Sequence, residues 1–336
     1  MRSAILKFGA AIFAILPVVC NGASGAAAAD GGIPQFEHVF VIVEENQSFD
    51  DVVGNTADMP YLNSLIRSYG LATNYYANAH PSVNDYFFLT AGHAGFSSTW
   101  TADGFLADHH WASVTGENVA TILTDNKKTW KAYLEGLPET GSLTSSHAGY
   151  VKRHDPFAYF ASVVRGDRNH PSQRSNLVAF TPNFQKDLQS WTFPDYSFIV
   201  PDIYNDGHND ATTRKAAGCG AHAALKQIDD WLNKNIRPLV ENAEFQRSGL
   251  LIIVFDEACD KGSKSDNRLD PAQPSLRGGG HIPAVIVSSK TKPGTRLDRL
   301  LHHESMLRLT LRALGIQRFP GGASGAPDVG EFFVKP

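Results

Sequence analysis

The chain has 336 residues, of which 42% are hydrophobic, 10% aromatic and 19% charged, with a formal net charge of −4. That length and apolar content suit one large core, and neither a linker nor a repeat divides it. The acidic balance argues against a nucleic-acid partner.

Arg2 and Lys7 lead into "FGAAIFAILPVVC" and then the small-residue run "NGASGAAAAD". This pattern predicts a secretory signal peptide over residues 1–29, cleaved near Ala29. Its apolar part is shorter than the roughly 20 residues of a membrane span, and no later segment reaches that length, so no integral span is expected. "LPVVC" lacks the small residue that lipid attachment at Cys20 would need. Cleavage would leave 28 of the 30 basic residues against 34 acidic ones, about −6. A single domain over 30–336 is then expected, periplasmic or secreted. In an oxidising compartment the two remaining cysteines, Cys219 and Cys259, are expected to pair.

Further along, continuous apolar runs bounded by turn residues predict buried strands at 38–44, 196–202, 249–257 and 282–289. Their lack of alternation implies that both faces are covered. Helical periodicity marks 59–70, then 221–240 with Leu225, Ile228 and Leu232 on one stripe, and 303–315 with Leu307, Leu311 and Leu314 on another. A weakly periodic stretch, 93–190, is rich in Gly, Ser, His and aromatics and is expected to cap or shape a site. The order of elements predicts a three-layer α/β/α sandwich around a mostly parallel sheet.

In such sheets ligands bind beyond the carboxyl ends of the strands. Here those ends carry Glu44, Glu45 and Asn46, then Asp202, Asp206, His208 and Asp210, then Asp256 and Glu257, while His281 sits in the glycine-rich "GGGH". One strand-end carboxylate is commonly a cap or a solvated turn residue. Several converging on one edge repel each other unless cations neutralise them, and oxygen with imidazole suits Zn, Mn, Fe, Mg or Ca rather than a thiolate site. One or two divalent ions are therefore expected as cofactors.

The segment "NAHPSVNDYFFLTAG", 78–92, places His80 and Ser82 at the start of an apolar helix. Ser82 is either an ordinary N-cap or a nucleophile activated beside the cations, where the helix terminus would also favour an incoming anion such as a phosphoryl group. His80 is a candidate proton donor, with a backbone-bonded turn histidine as the competing reading. His154, beside Lys152 and Arg153, is a candidate substrate contact weighed against a solvated basic turn. No "G-x-S-x-G" elbow supports an acyl hydrolase.

Taken together, "VIVEENQSFD", "HPSVNDYFFLTAG", "IYNDGHND", "IIVFDE", "GGGHIPAVIVSS" and "HHESMLRLTLRALG" resemble, in order and spacing, the bacterial phosphoesterase family of secreted acid phosphatases and phospholipases C. That family belongs to the alkaline-phosphatase-like superfamily. The resemblance implies that Ser82 forms a phosphoseryl intermediate and that Asn46, Asp256 and Glu257, with Ser82 and Glu45, hold one metal. It implies that His208 and His281, with Asp206 or Asp202, form a second metal group. Glu44 would simply end its strand.

The chain departs from the pattern at Asp85, where relatives present an asparagine to phosphate. An ionised Asp cannot donate that hydrogen bond, so Asn84 could substitute, Asp85 could be protonated, or activity could be altered. His303, in "HHES", is expected near substrate or just behind the site. The implied activity is phosphomonoester hydrolysis of a small phosphorylated substrate, a phospholipid head group included. Its rivals are a phospholipase C-type diesterase and a metal-binding extracellular protein with weakened turnover.

Overall fold

The computed structural model describes residues 32–95, 114–259 and 278–334. The expected signal peptide with Cys20 and the cleavage point lies outside the described residues, as do 96–113 of the expected cap. Gly31–Pro336 forms one compact unit.

Ten strands are described: β1 (His38–Glu44), β2 (Gly70–Ala72), β3 (Trp130–Leu134), β4 (Ser146–His147), β5 (Tyr150–Val151), β6 (Leu177–Ala179), β7 (Tyr196–Val200), β8 (Gly249–Phe255), β9 (Ala284–Val287) and β10 (Arg296–Leu297). Eight of them form one sheet in the order β10-β2-β9-β8-β1-β7-β3-β6, and β4 and β5 pair separately. β1 is flanked by β7 and β8, both parallel to it. β3 and β6 extend the parallel part beyond β7. Both neighbours of β9 run antiparallel to it, so β9 begins at the edge where β8 ends.

Hydrophobicity without alternation follows from this placement. All seven residues of β8 and six of seven in β1 are buried, because helices cover both faces. One helical group contains Pro60–Ser68 and His222–Asn235; the other contains Val83–Ala91 and His303–Ala313. In the first group Asp229 accepts hydrogen bonds from the N–H groups of Tyr61 and Leu62, satisfying donors that the start of Pro60–Ser68 cannot use internally. Val83–Ala91 stops at Gly92, whose φ of +69° is left-handed and whose added Cβ would lie 2.4 Å from Pro320 O.

The central stretch does more than cap. Its residues supply β3 and β6 of the main sheet, a contribution too short and too interrupted to be legible as apolar runs. The connection after β5 carries His154 to the carboxyl edge.

Candidate active site

Three strand ends meet at this edge. After β1 the chain turns at Asn46, whose φ of +55° is left-handed, a conformation that Asn tolerates better than most side chains. Its backbone N–H donates to Asp256 Oδ1 at 3.0 Å, and its side-chain amide donates to Glu45 Oε2 at 2.7 Å. The end of β8 is held to that of β1 by Asp256 N–H donating to Glu44 O. Asp256 and Glu257 thereby face Glu45.

Ser82 begins the helix Val83–Ala91 without capping it with its side chain. Its hydroxyl lies instead 3.1 Å from Glu257 Oε1 and 3.3 Å from Glu45 Oε2. A hydroxyl has one proton, so only one of these oxygens receives it at a time. The other oxygen of Glu257 is 2.6 Å from His80 Nδ1. Burial pushes the Glu257 carboxyl up to about 7, with His80 opposing the shift.

Behind Ser82 the cluster continues through the second oxygen of Glu45. It accepts from Tyr86 OH at 3.1 Å and lies 3.1 Å from His154 Nε2. The other nitrogen of His154 is 3.3 Å from Asp206 Oδ2, and the ring lies parallel to Tyr86 with centroids 5.3 Å apart. The histidine is held by its surroundings: Lys152–His154 form a 3-10 turn, and Asp155 caps the next turn through Phe157 and Ala158 N–H. Asp206 is fixed by its own N–H donating to Asp202 O, and it accepts from His208 N–H at 2.8 Å.

This is an expensive arrangement for protein groups alone. Glu45 and Asp206 are completely buried, and desolvation first, then neighbouring carboxylates, drives both carboxyls well above the usual range. Burial, followed by Arg153 and His208, pushes His154 well below its ordinary value, so its ring is neutral and has one N–H for two carboxylate neighbours. Both His154 nitrogens and the Oδ2 atoms of Asp206 and Asp256 are buried without a well-formed hydrogen bond. Glu45, His154 and Asp206 place one ligand atom each within 4.8 Å of the others. Oxygen and imidazole donors left unsatisfied in this way fit a divalent cation.

The expected residues do not all converge. His281 stacks between Phe49 and Tyr76, at centroid distances of 4.2 and 4.8 Å, and donates through Nε2 to Thr73 O at 3.0 Å. With Nε2 donating to Thr73 O, Nδ1 is the ring nitrogen that remains for a ligand role, and the described ring contacts of His281 are with the two aromatic side chains. Asp202 accepts from Tyr204 N–H at 2.9 Å and shapes the turn that presents Asp206. His208 stands beside His154, with ring centroids 5.8 Å apart, and hydrogen-bonds Asn209.

Asp85 and Asn84, expected to meet substrate, and His303, expected near substrate or just behind the site, all have 0% exposure. His303 receives a hydrogen bond from Tyr75 OH at Nδ1 and donates from Nε2 to Asp256 O at 2.7 Å. It braces the strand end from behind. Glu44, whose carboxyl burial drives well upward, ends β1 below the cluster.

Two features escaped the reading of residues. Tyr86 was merged into an apolar run, although its position four residues after Ser82 on one helix face was the available signal. His154 had no local signal as a ligand, because Glu45 and Asp206 are distant from it in sequence.

The mostly parallel sheet, the carboxylate-rich edge and the serine placed over it suit a phosphate-ester hydrolase. The chain belongs to the Phosphoesterase family, whose sequence profile matches residues 55–317. It is 27% identical over 304 residues to a phosphatidylinositol-3-phosphatase of Mycobacterium tuberculosis, covering 90% of this chain and 84% of the relative. It is 29% identical over 282 residues to a probable acid phosphatase of Kluyveromyces lactis, covering 81% of this chain but only 56% of the relative. Among solved structures, an alkaline phosphatase superfamily protein from Vibrio parahaemolyticus matches with a TM-score of 0.56 at 15% identity, over 88% of this chain and 71% of its own. That match speaks to the fold.

Proposed function

We propose that the protein is a secreted, divalent-metal-dependent phosphomonoesterase that works through a phosphoserine at Ser82. The supporting observation is that Ser82 leaves its helix uncapped and turns its hydroxyl between Glu45 and Glu257. Glu45, Asn46, Asp256 and Glu257 are the groups that would hold a cation beside Ser82, and Glu45, His154, Asp206 and His208 those for a cation behind it. Such a cation would lower the pKa of the serine hydroxyl and offset the charge of the phosphoryl group.

Ser82 Oγ attacks phosphorus in line with the ester oxygen, giving up its proton to the Glu257 carboxylate beside it, and the P–O bond to the alcohol breaks. His80, hydrogen-bonded to Glu257 and with its side chain 19% exposed, is the group placed to protonate the departing alkoxide. Water then attacks the phosphoserine, releasing inorganic phosphate and restoring the hydroxyl. The N-terminal end of Val83–Ala91 favours the phosphoryl anion throughout by its dipole.

A lipid head group is a second reading of the substrate, favoured by the mycobacterial relative's match over most of this chain. Among the described residues no helix is long and apolar enough to cross a membrane. Wild type and Ser82→Ala should be assayed with p-nitrophenyl phosphate, phosphatidylinositol-3-phosphate and phosphatidylcholine. The expected outcome is monoester hydrolysis that falls about 10³-fold or more in Ser82→Ala, with metal content and folding retained. Near-normal turnover in that variant would refute the nucleophile assignment. Preferential cleavage of phosphatidylcholine would replace the monoesterase with a diesterase, and bound metal without turnover would indicate a binding protein.

A further inference from the structure

Asp85 follows Ser82 by three residues, and one of its carboxyl oxygens is turned to the loop that precedes the serine. Its Oδ1 accepts the backbone N–H groups of Asn78, at 2.9 Å, and Ala79, at 3.1 Å. Those residues immediately precede His80 and Ser82. Asp85 Oδ1 is also 3.4 Å from His303 Nε2, the nitrogen that donates to Asp256 O.

The loop is tied at further points. The Asn78 side chain donates to both oxygens of Glu304, at 3.1 and 3.0 Å, and its Oδ1 accepts from His303 N–H at 3.3 Å. On the other side Gly279 packs so closely that a Cβ there would stand 2.4 Å from Ala79 O. The segment 78–82 is thus clamped between the start of His303–Ala313, the end of β8 and the approach to β9.

We propose that Asp85 is a positioning residue: its carboxylate holds the Asn78–Ala79 backbone, and through it His80 and Ser82, in register with Asp256 and the helix His303–Ala313. A carboxyl oxygen is well suited to accept two convergent N–H donors. The departure from the family's asparagine is thereby explained as a change in what the position supports. The proposal rests on Ser82 being the nucleophile, and its test is built to separate the two.

Asp85→Ala and Asp85→Asn would be compared with wild type in steady-state hydrolysis of p-nitrophenyl phosphate and in amide hydrogen exchange. Asn retains an oxygen that can accept both N–H groups. Asp85→Ala should lose about 10- to 100-fold in kcat with KM within about threefold, as expected when reacting groups are misplaced by a fraction of an ångström to an ångström. Asp85→Asn should keep kcat within about threefold. Protection of the Asn78 and Ala79 amides should vanish in the first variant and persist in the second.

A raised KM at unchanged kcat would assign Asp85 to the substrate and overturn the proposal. So would wild-type kcat in Asp85→Ala, or equal loss in both variants. If Asp85→Ala does not fold, Asp85→Asn decides alone: loss of kcat or of amide protection in it overturns the assignment. The exchange readout does not need turnover, so failure of the Ser82 assignment, seen in Ser82→Ala, is distinguishable from failure of the clamp.

Discussion

Glu45 serves two sets of partners with its two oxygens: Asn46 and Ser82 on one, Tyr86 and His154 on the other. A single buried carboxylate therefore connects the Ser82 hydroxyl to the imidazole behind it. His154→Ala should lower metal affinity by about 10-fold or more, read as metal per protein after dialysis against a weak chelator. Unchanged metal content would remove His154 from the cation-binding set. At this scale Ser82 was legible only as a candidate, since an N-cap and a nucleophile share its position at a helix start. Asp85 was legible as an anomaly only, since its partners are backbone N–H groups that no side-chain pattern announces.

At the scale of elements, the strand ends do most of the positioning, and a second device fastens the central stretch. His170 lies between Asp125, which ends the helix Val119–Asp125, and Asp167, with ring nitrogens 2.9 and 3.0 Å from their oxygens. Hydrogen bonds donated to Asp125 and then to Asp167 raise its pKa. Stability from this raised histidine is full below its unfolded value and is lost as pH rises through the folded one. Both aspartates are lowered, chiefly by His170, so their contribution is lost only as pH falls through folded values below 3.8.

The clamp is therefore strongest in mildly acidic solution. His170→Ala should lower Tm by about 1–2 °C near pH ~5 and by less near pH ~8, the difference shrinking in salt because both aspartates are partly exposed. An equal loss at both pH values would show that the ring matters for packing rather than charge. Of these elements, the long apolar strands and the amphipathic helices could be read in advance, because burial on both faces leaves an unbroken apolar run. β2, β3 and β6 could not, since runs of three to five residues carry too little periodicity, and β3 and β6 lie in the Gly- and Ser-rich stretch besides.

Across the whole molecule, the Cys219–Cys259 disulfide spans 40 residues and joins the loop after β7, which carries Asp206 and His208, to the one after β8, which carries Asp256 and Glu257. Gly220 N–H donates to Gln47 and Cys259 N–H to Ser48, so both cysteine-bearing loops also rest on the residues that follow Asn46. Replacing both cysteines with serine should cost about 2–4 kcal/mol of stability, measured by urea unfolding, because the open chain regains the loop's conformational freedom. An unchanged midpoint would mean that the hydrogen bonds alone hold the three loops together.

Sequence by itself determined the layered α/β class and the carboxylate-rich edge, because both arise from local patterns: apolar runs, and polar residues where those runs stop. Only the tertiary structure decided which polar residues share a site. It drew His154 in from the central stretch, and it left His281 between two aromatic rings and Asp85 under the nucleophile's loop. Partners so distant in the chain are selected by packing geometry and the cost of burying charge, and neither is written in the spacing of any one segment.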